Sequence, residues 1–242
     1  MQHLTGQFAL VSGGGTGIGL ACARALKSAG AHVTILGRRA APLREAVIRG
    51  DAHELLLGDA THPPPLPRIN ILVNAAGAAK SAPFLKTSDE DFRAALDANL
   101  MSAVALTRAA LPHMLGLGAG RIVNIASTAA LKGYPYVVPY VAAKHALLGF
   151  TRALALELAG RGVTVNAICP GFTETPLLAE SIARIIEKTG MDAQAARAEL
   201  AKHNPQGRLL QPEEIAALTV FLCGNAAQGI HGAALPISGG EI

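Results

Sequence analysis

Between an apolar run, Phe8-Ala9-Leu10-Val11, and an Ala/Leu-rich segment that reads as a helix up to Ala29-Gly30, the chain places Ser12-Gly13-Gly14-Gly15-Thr16-Gly17-Ile18-Gly19. A strand that turns on glycines directly into a helix leaves unpaired backbone N–H groups and the positive end of the helix dipole facing whatever sits on the turn. The arrangement is an anion site, with Gly13, Gly15, Thr16, Gly17, Ile18 and Gly19 as candidate contacts. Its spacing is Gly-x-x-x-Gly-x-Gly, without the Gly-Lys-Ser/Thr ending of a nucleoside triphosphate loop, which argues against a kinase or ATPase.

Further apolar runs alternate with helical patterns: Ala31–Leu36, Glu54–Leu57, Ile69–Val73, Arg121–Ala126, Val163–Ile168 and Ala233–Ile237. Such alternation predicts an α/β fold. Pro236 restricts the last strand to the sheet edge. With 242 residues, 50% of them hydrophobic, residues 1–242 suit one domain with one substantial core. The prolines in Thr61-His62-Pro63-Pro64-Pro65-Leu66-Pro67-Arg68 forbid a helix there. The crossover before the fourth strand is therefore expected to be shortened to an extended strap, leaving one sheet face less covered. Ser88 caps a long helix carrying Phe92, Ala95, Leu96 and Leu100 at helical spacing, and a second helix is expected from about Ala103 to Leu115, ending at Gly116. Residues 176–205 hold two helical patterns broken at Thr189-Gly190 and read as a lid over substrate.

Net charge is +4 with a pI near 9.1, yet no Lys/Arg run extends beyond Arg38-Arg39, so nucleic acid is not an expected partner and the excess suits an anionic cofactor. Cys22, Cys169 and Cys223 form no CxxC and predict neither disulfides nor a metal cluster. The glycine turn comes too early for a signal peptide, and no uncharged apolar run is long enough to span a bilayer, so a cytoplasmic protein is expected.

The chemistry-bearing stretch runs from Ser127 to Lys144. Tyr140 and Lys144 lie four apart near a helix start, on one face. An ammonium within about 6 Å favours a phenolate, so Lys144 is expected to draw the Tyr140 pKa down and make it a general acid or base. Ser127 ends a buried strand, at the carboxyl end where open α/β sheets bind ligands. Asn99 interrupts an apolar helical stripe, either as an amide satisfied by a backbone carbonyl or as a group holding a water beside the lysine. Arg38 and Arg39 follow the second strand, where arginine accommodates a 2′-phosphate and an acid would bind a 2′-hydroxyl. NADP(H) is the expected cofactor and NAD(H) the alternative. Thr173 and Thr175, beyond the Pro170-Gly171 turn, approach the amide end of a nicotinamide or belong to an ordinary loop.

Taken together, Ser12-Gly13-x-x-x-Gly17-Ile18-Gly19, Asp59, Asn74-Ala75-Ala76-Gly77, Asn99, Ser127, Tyr140-x-x-x-Lys144 and Pro170-Gly171 resemble the short-chain dehydrogenases/reductases of the classical type, over nearly the whole chain. The resemblance implies a single Rossmann-type domain, a doubly wound parallel sheet of about seven strands, usually a homotetramer (or dimer) assembled through two long helices and the C-terminal edge. It implies hydride transfer between nicotinamide and a carbonyl or secondary alcohol, with Asn99, Ser127, Tyr140 and Lys144 catalytic. It also adds Asp59, Ala60, Asn74, Ala75 and Gly77 to the cofactor contacts, with Tyr140, Lys144, Pro170 and Gly171. Ser12 stands where the family usually has threonine, a helix is missing before Asn74, and Pro139 precedes the tyrosine.

Leu131, Tyr134, Tyr136, Val137, Phe172, Leu177, Leu178 and Ile182 are expected to wall the substrate site, favouring an apolar or acyl substrate. In look the chain is nearest to 3-oxoacyl reductases acting on carrier-protein or CoA thioesters. The alternatives are a dehydrogenase of a small cyclic or secondary alcohol and, from another class, a catalytically idle cofactor-binding regulatory or scaffold protein.

Overall fold

The structure, a computed structural model, describes residues 3–242. Seven strands pair in parallel: β1 (Phe8–Ser12), β2 (His32–Gly37), β3 (Glu54–Leu57), β4 (Ile71–Asn74), β5 (Gly120–Ile125), β6 (Val163–Pro170) and β7 (Ala234–Ile237). Their order is β3-β2-β1-β4-β5-β6-β7, with β7 at the edge where Pro236 predicted it. The order reverses between β1 and β4, whose carboxyl ends are in register at Ser12 and Asn74. A crevice at such a switch point is where doubly wound sheets bind ligands.

Side chains of the central strands alternate between two helical layers, the period of two that a strand imposes. Ala9 and Val11 face a layer that includes α1 (Gly17–Ser28) and α8 (Pro212–Cys223), packing with Cys22, Leu26, Ile215 and Leu222. Leu10 faces the other layer, with Leu72, Ile122, Leu106 and Met114. Because both faces are covered, the central strands read as unbroken apolar runs. The strap replaces a helix as expected: residues 63–69 are irregular, Leu66 packs into the second layer, and Pro64 sits so close to Gly58 that a Cβ there would meet its Cδ at 2.7 Å. Above it β3 stays partly open, with Leu57 52% exposed.

The two helices expected between Ser88 and Gly116 are one continuous run. Ser88 and Asp91 form a reciprocal capping box for α3 (Asp89–Leu96), and a wide π turn at Asp97–Met101 leads into α4 (Ser102–Leu117), which continues past Gly116 and ends at Gly118 in the left-handed conformation. By length and composition this 29-residue run would cross a membrane, but Arg108 interrupts its charge-free stretch and Leu106, Ala110 and Met114 bury against the sheet. Pro139 lies in the first turn of α5 (Val138–Glu157), where a missing N–H costs nothing. The remaining helices are α2 (Ala40–Ile48), α6 (Pro176–Thr189) and α7 (Ala193–Ala201), the last two divided at Gly190 as expected.

Candidate active site

Glycines shape the turn between β1 and α1. Gly13 and Gly17 have φ of 66° and 53°, and a Cβ on Gly19 would lie 2.4 Å from the Gly13 carbonyl oxygen. Ser12 Oγ accepts from the amides of Ala75 and Ala76, each at 3.1 Å, and so ties the turn to the loop after β4. Asn74 Nδ2 donates to Asn124 Oδ1 at 2.8 Å, and Asn124 Nδ2 to Thr151 Oγ1 at 2.9 Å, so a buried polar chain joins β4, β5 and α5. Asn74 thus holds the loop in shape from beneath.

The α1 terminus itself is open. Thr16 makes no side-chain cap and no acid occupies the first turn, so backbone N–H groups and dipole are left for an anion. At the end of β2, Arg38 and Arg39 are exposed and no acid lies in the first turn of α2. Asp59 is turned onto its own loop, accepting from the Thr61 amide and hydroxyl at 2.9 and 2.8 Å. The Thr61 amide and hydroxyl, with a smaller pull from Arg38, hold its carboxyl below the usual range. Ala60 beside it is buried. These groups fit a dinucleotide with a phosphate on its adenosine ribose: an uncapped helix start for the pyrophosphate and two exposed arginines that make no ion pair among the described residues, with the nearby Asp59 carboxylate turned onto its own loop.

Across the crevice, Ser127, Tyr140 and Lys144 converge. Ser127 follows β5, and its hydroxyl accepts from the Ala129 amide at 3.1 Å; the same side chain acts on the Tyr140 phenol, lowering its pKa against burial. Lys144 is 4% exposed, donates to the Ile125 carbonyl at 2.9 Å, and holds its Nζ 5.6 Å from the Tyr140 ring centre. The expected depression of the tyrosine pKa is not what this geometry gives. Burial raises the Tyr140 pKa, with Ser127 pulling the other way, and burial brings Lys144 down to about 8. The physical reason is that desolvation opposes charge on both partners, while the amine is directed at a backbone carbonyl.

Asn99 takes the first of its readings and leaves an atom spare for the second. The π turn aims its Nδ2 at the carbonyls of Ala78 and Ala95, at 2.8 and 2.9 Å, while its buried Oδ1 has no partner among the described residues. A Cβ on Gly77 would lie 2.7 Å from that oxygen and 3.7 Å from Lys144 Nζ, so only glycine leaves the space between them. An orphaned buried amide oxygen fits a bound water.

Ser127 and Tyr140 open onto a cavity of about 640 Å³, which Ile18, Pro170, Gly171, Thr173 and Thr175 also line. Both threonine hydroxyls are committed locally: Thr173 donates to the Gly171 carbonyl at 2.9 Å, and Thr175 caps α6 by accepting from Leu178 N at 3.2 Å. Tyr134, Tyr136, Val137, Phe172, Leu177 and Leu178 line the cavity as expected, but Leu131 and Ile182 do not. Leu131 packs toward Leu147 and Ala167, and Ile182 toward Leu200 and Leu209, because each core needed the apolar side chain more than the opening did. Sequence reasoning missed Ile185, Leu200 and His203 in the wall: the helical spacing of Ile185 behind Leu178 and Ser181 on α6 carried a signal, whereas Leu200 on α7 and His203 after it carried none.

The sequence model of the family described as enoyl-(acyl carrier protein) reductase matches residues 13–241. A D-β-hydroxybutyrate dehydrogenase of Cupriavidus necator is 38% identical over 255 residues, 99% of each chain. The chain belongs to the short-chain dehydrogenase/reductase family. Among other members, the short-chain reductase protein NovJ of Streptomyces niveus is 36% identical over 248 residues, covering 96% of this chain and 93% of that one. A variant of actinorhodin polyketide ketoreductase, solved with NADPH, superposes with a TM-score of 0.90 at 33% identity, covering 97% of both chains. L-sorbose reductase of Gluconobacter frateurii, solved with NADPH and L-sorbose, gives 0.91 at 28% identity, covering 99% and 98%. As a member of this family the protein is an NAD(P)-dependent oxidoreductase acting on CH–OH groups.

Proposed function

We propose that this short-chain dehydrogenase/reductase is an NADP(H)-dependent reductase of 3-oxoacyl thioesters. The observation that carries the reading is the cavity over Ser127 and Tyr140, whose wall is built from Val137, Phe172, Leu177, Leu178 and Ile185 and has room for an acyl chain beside a nicotinamide. The uncapped α1 turn with Arg38 and Arg39 supports the phosphorylated dinucleotide, and the NADPH and NADP found on structural neighbours agree.

Held by the α1 turn with Arg38 and Arg39, the cofactor would supply a hydride to the carbonyl carbon, the C=O π electrons passing to oxygen. Ser127 donates a hydrogen bond to that oxygen and stabilises its developing charge. Tyr140 gives it the proton. A phenol whose pKa is raised by burial holds that proton at neutral pH, which suits the reductive direction. Lys144 steadies the cofactor ribose, and the free Oδ1 of Asn99 holds a water through which the proton on Tyr140 is restored. Residues 176–205 act as the lid, and the whole chain as one cofactor-binding domain. The intact Ser/Tyr/Lys/Asn set speaks against an idle scaffold.

Exposed Met101, Leu117 and Leu156 on α4, α5 and the turn before them, with Phe221 on α8, support assembly as a homotetramer of a cytoplasmic enzyme. Sedimentation of the purified protein reads the assembly. The function is tested by following NADPH absorbance with acetoacetyl-CoA, with the enoyl thioester crotonyl-CoA, and with cyclic ketones and secondary alcohols. Turnover of the first is expected. Activity confined to the enoyl thioester or to simple alcohols would replace this reading, the alcohols by the small-alcohol dehydrogenase that the relation to hydroxybutyrate dehydrogenases favours.

A further inference from the structure

The lid helix presents Ser181, Arg184, Ile185 and Lys188 to the cavity, at the three- and four-residue spacing that places them on one face. Among the described residues, the wall contains these two cations and His203 but no carboxylate. His203 faces Glu241 at 3.8 Å, which leaves the other two. Arg184 is poorly satisfied: its nearest acceptors are the Ala79 carbonyl at 3.5 Å and Glu180, outside the wall, at 3.8 Å. A guanidinium has five donors and such contacts use little of that capacity. Lys188 has no ion pair among the described residues although Glu187 is adjacent in sequence. A cavity that is apolar around the reacting groups and cationic along the lid selects a substrate of matching polarity.

We propose that Arg184 and Lys188 form a receptor for an anionic group of the substrate, carboxylate or phosphate, held apart from the reacting carbonyl. The inference rests on the reductase reading and names the feature by which this chain would recognise its 3-oxo substrate, an anion carried away from the carbonyl. The receptor lies on a different element from the α1 turn and Arg38, which would receive the cofactor's phosphates.

The test uses three substrates with the same 3-oxo group: neutral ethyl acetoacetate, acetoacetate with a carboxylate, and acetoacetyl-CoA with phosphates. Each is assayed with the parent, Arg184→Gln, Lys188→Gln and Lys188→Arg. The parent is expected to prefer an anionic substrate. In the two Gln variants the ratio of kcat/KM for that substrate over the ester falls at least about tenfold through KM, the size of one charge-assisted hydrogen bond, and Lys188→Arg restores most of it. A loss confined to acetoacetyl-CoA assigns the receptor to phosphate, and a loss that includes acetoacetate assigns it to carboxylate. An unchanged ratio, a parent that prefers the ester, or a loss that appears instead in the NADPH dissociation constant overturns the proposal while the reductase reading stands. Failure of the parent on all three ends both.

Discussion

The hydroxyl of Tyr134 donates to the carboxylate of Glu241, 107 residues later in the chain. Lys132 pairs with the same carboxylate at 2.9 Å, and its Oε2 is buried beneath Gly171, where a Cβ would lie 3.2 Å away. The Tyr134 ring meets Phe172 edge-on, with centres 5.9 Å apart, and also touches the His203 ring, and all three line the substrate cavity. Glu241 therefore fixes one wall of the site from behind. Glu241→Ala is expected to cost about 1–3 kcal/mol of stability, the range for a buried polar group losing its partner. It should raise substrate KM several-fold while kcat changes less. Urea denaturation and steady-state kinetics check this, and an unmoved KM would remove Glu241 from the positioning role.

Tyr140 is the proton donor in the proposed reaction, and its ring is also part of the cavity wall. Tyr140→Phe keeps the ring and removes only the hydroxyl. The variant should lose at least about 100-fold in kcat, the contribution of a positioned general acid, while its NADPH affinity changes little. Stopped-flow binding alongside turnover separates the two quantities, and a variant that still turns over would displace the tyrosine from this step.

How much of this was legible in the sequence differs element by element. β1 and β4 were readable because strands buried on both faces carry no polar alternation, β6 from its β-branched run despite Thr164 and Asn166, and the strap after β3 because proline forbids the alternative. The π turn at Asp97–Met101 was not readable, since a single extra residue in one turn barely disturbs a 3.6-residue period. Tyr140 and Lys144 could be placed on one helix face from spacing, but the balance of burial and charge on the pair depends on what packs around it, and that reversed the expected direction for the phenol. Glu241 gave no signal: an isolated acid between glycine and isoleucine looks solvated until Lys132 and Tyr134 are brought to it by the fold.

Arg38 decides cofactor choice if the exposed arginines after β2 receive the ribose phosphate. Arg38→Asp places a carboxylate where an anion is expected, beside Asp59, whose carboxyl Arg38 now helps to keep ionised. The parent should show the higher kcat/KM with NADPH. In the variant that value should fall by about 10- to 100-fold, one or two charge-assisted hydrogen bonds, while NADH is used as well or better. A parent that prefers NADH would sink the assignment.

Lys144 makes a prediction about stability that is independent of turnover. Burial lowers its pKa from 10.5 to about 8, so below pH 8 both folded and unfolded chains carry the ammonium and the folded one bears the cost of burying it. Between about pH 8 and 10.5 the folded chain has released the proton and the unfolded chain has kept it. The unfolded state then binds more protons, and stability rises with pH across that window. At 1.36 kcal/mol per pKa unit the gain totals about 3 kcal/mol. Lys144→Met lacks this contribution, while the surface groups titrate alike in both proteins. Burial pushes the Cys169 thiol up to about 11 with a smaller downward pull from Lys144, which the variant also loses, so the parent and Lys144→Met are compared in a Cys169→Ala background. Denaturant midpoints measured at pH 7.5 and pH 10 should therefore show the parent gaining on the variant as pH rises. A difference that stays flat or shrinks would mean that Lys144 keeps its charge in the folded protein, held by the Ile125 carbonyl and the tyrosine beside it.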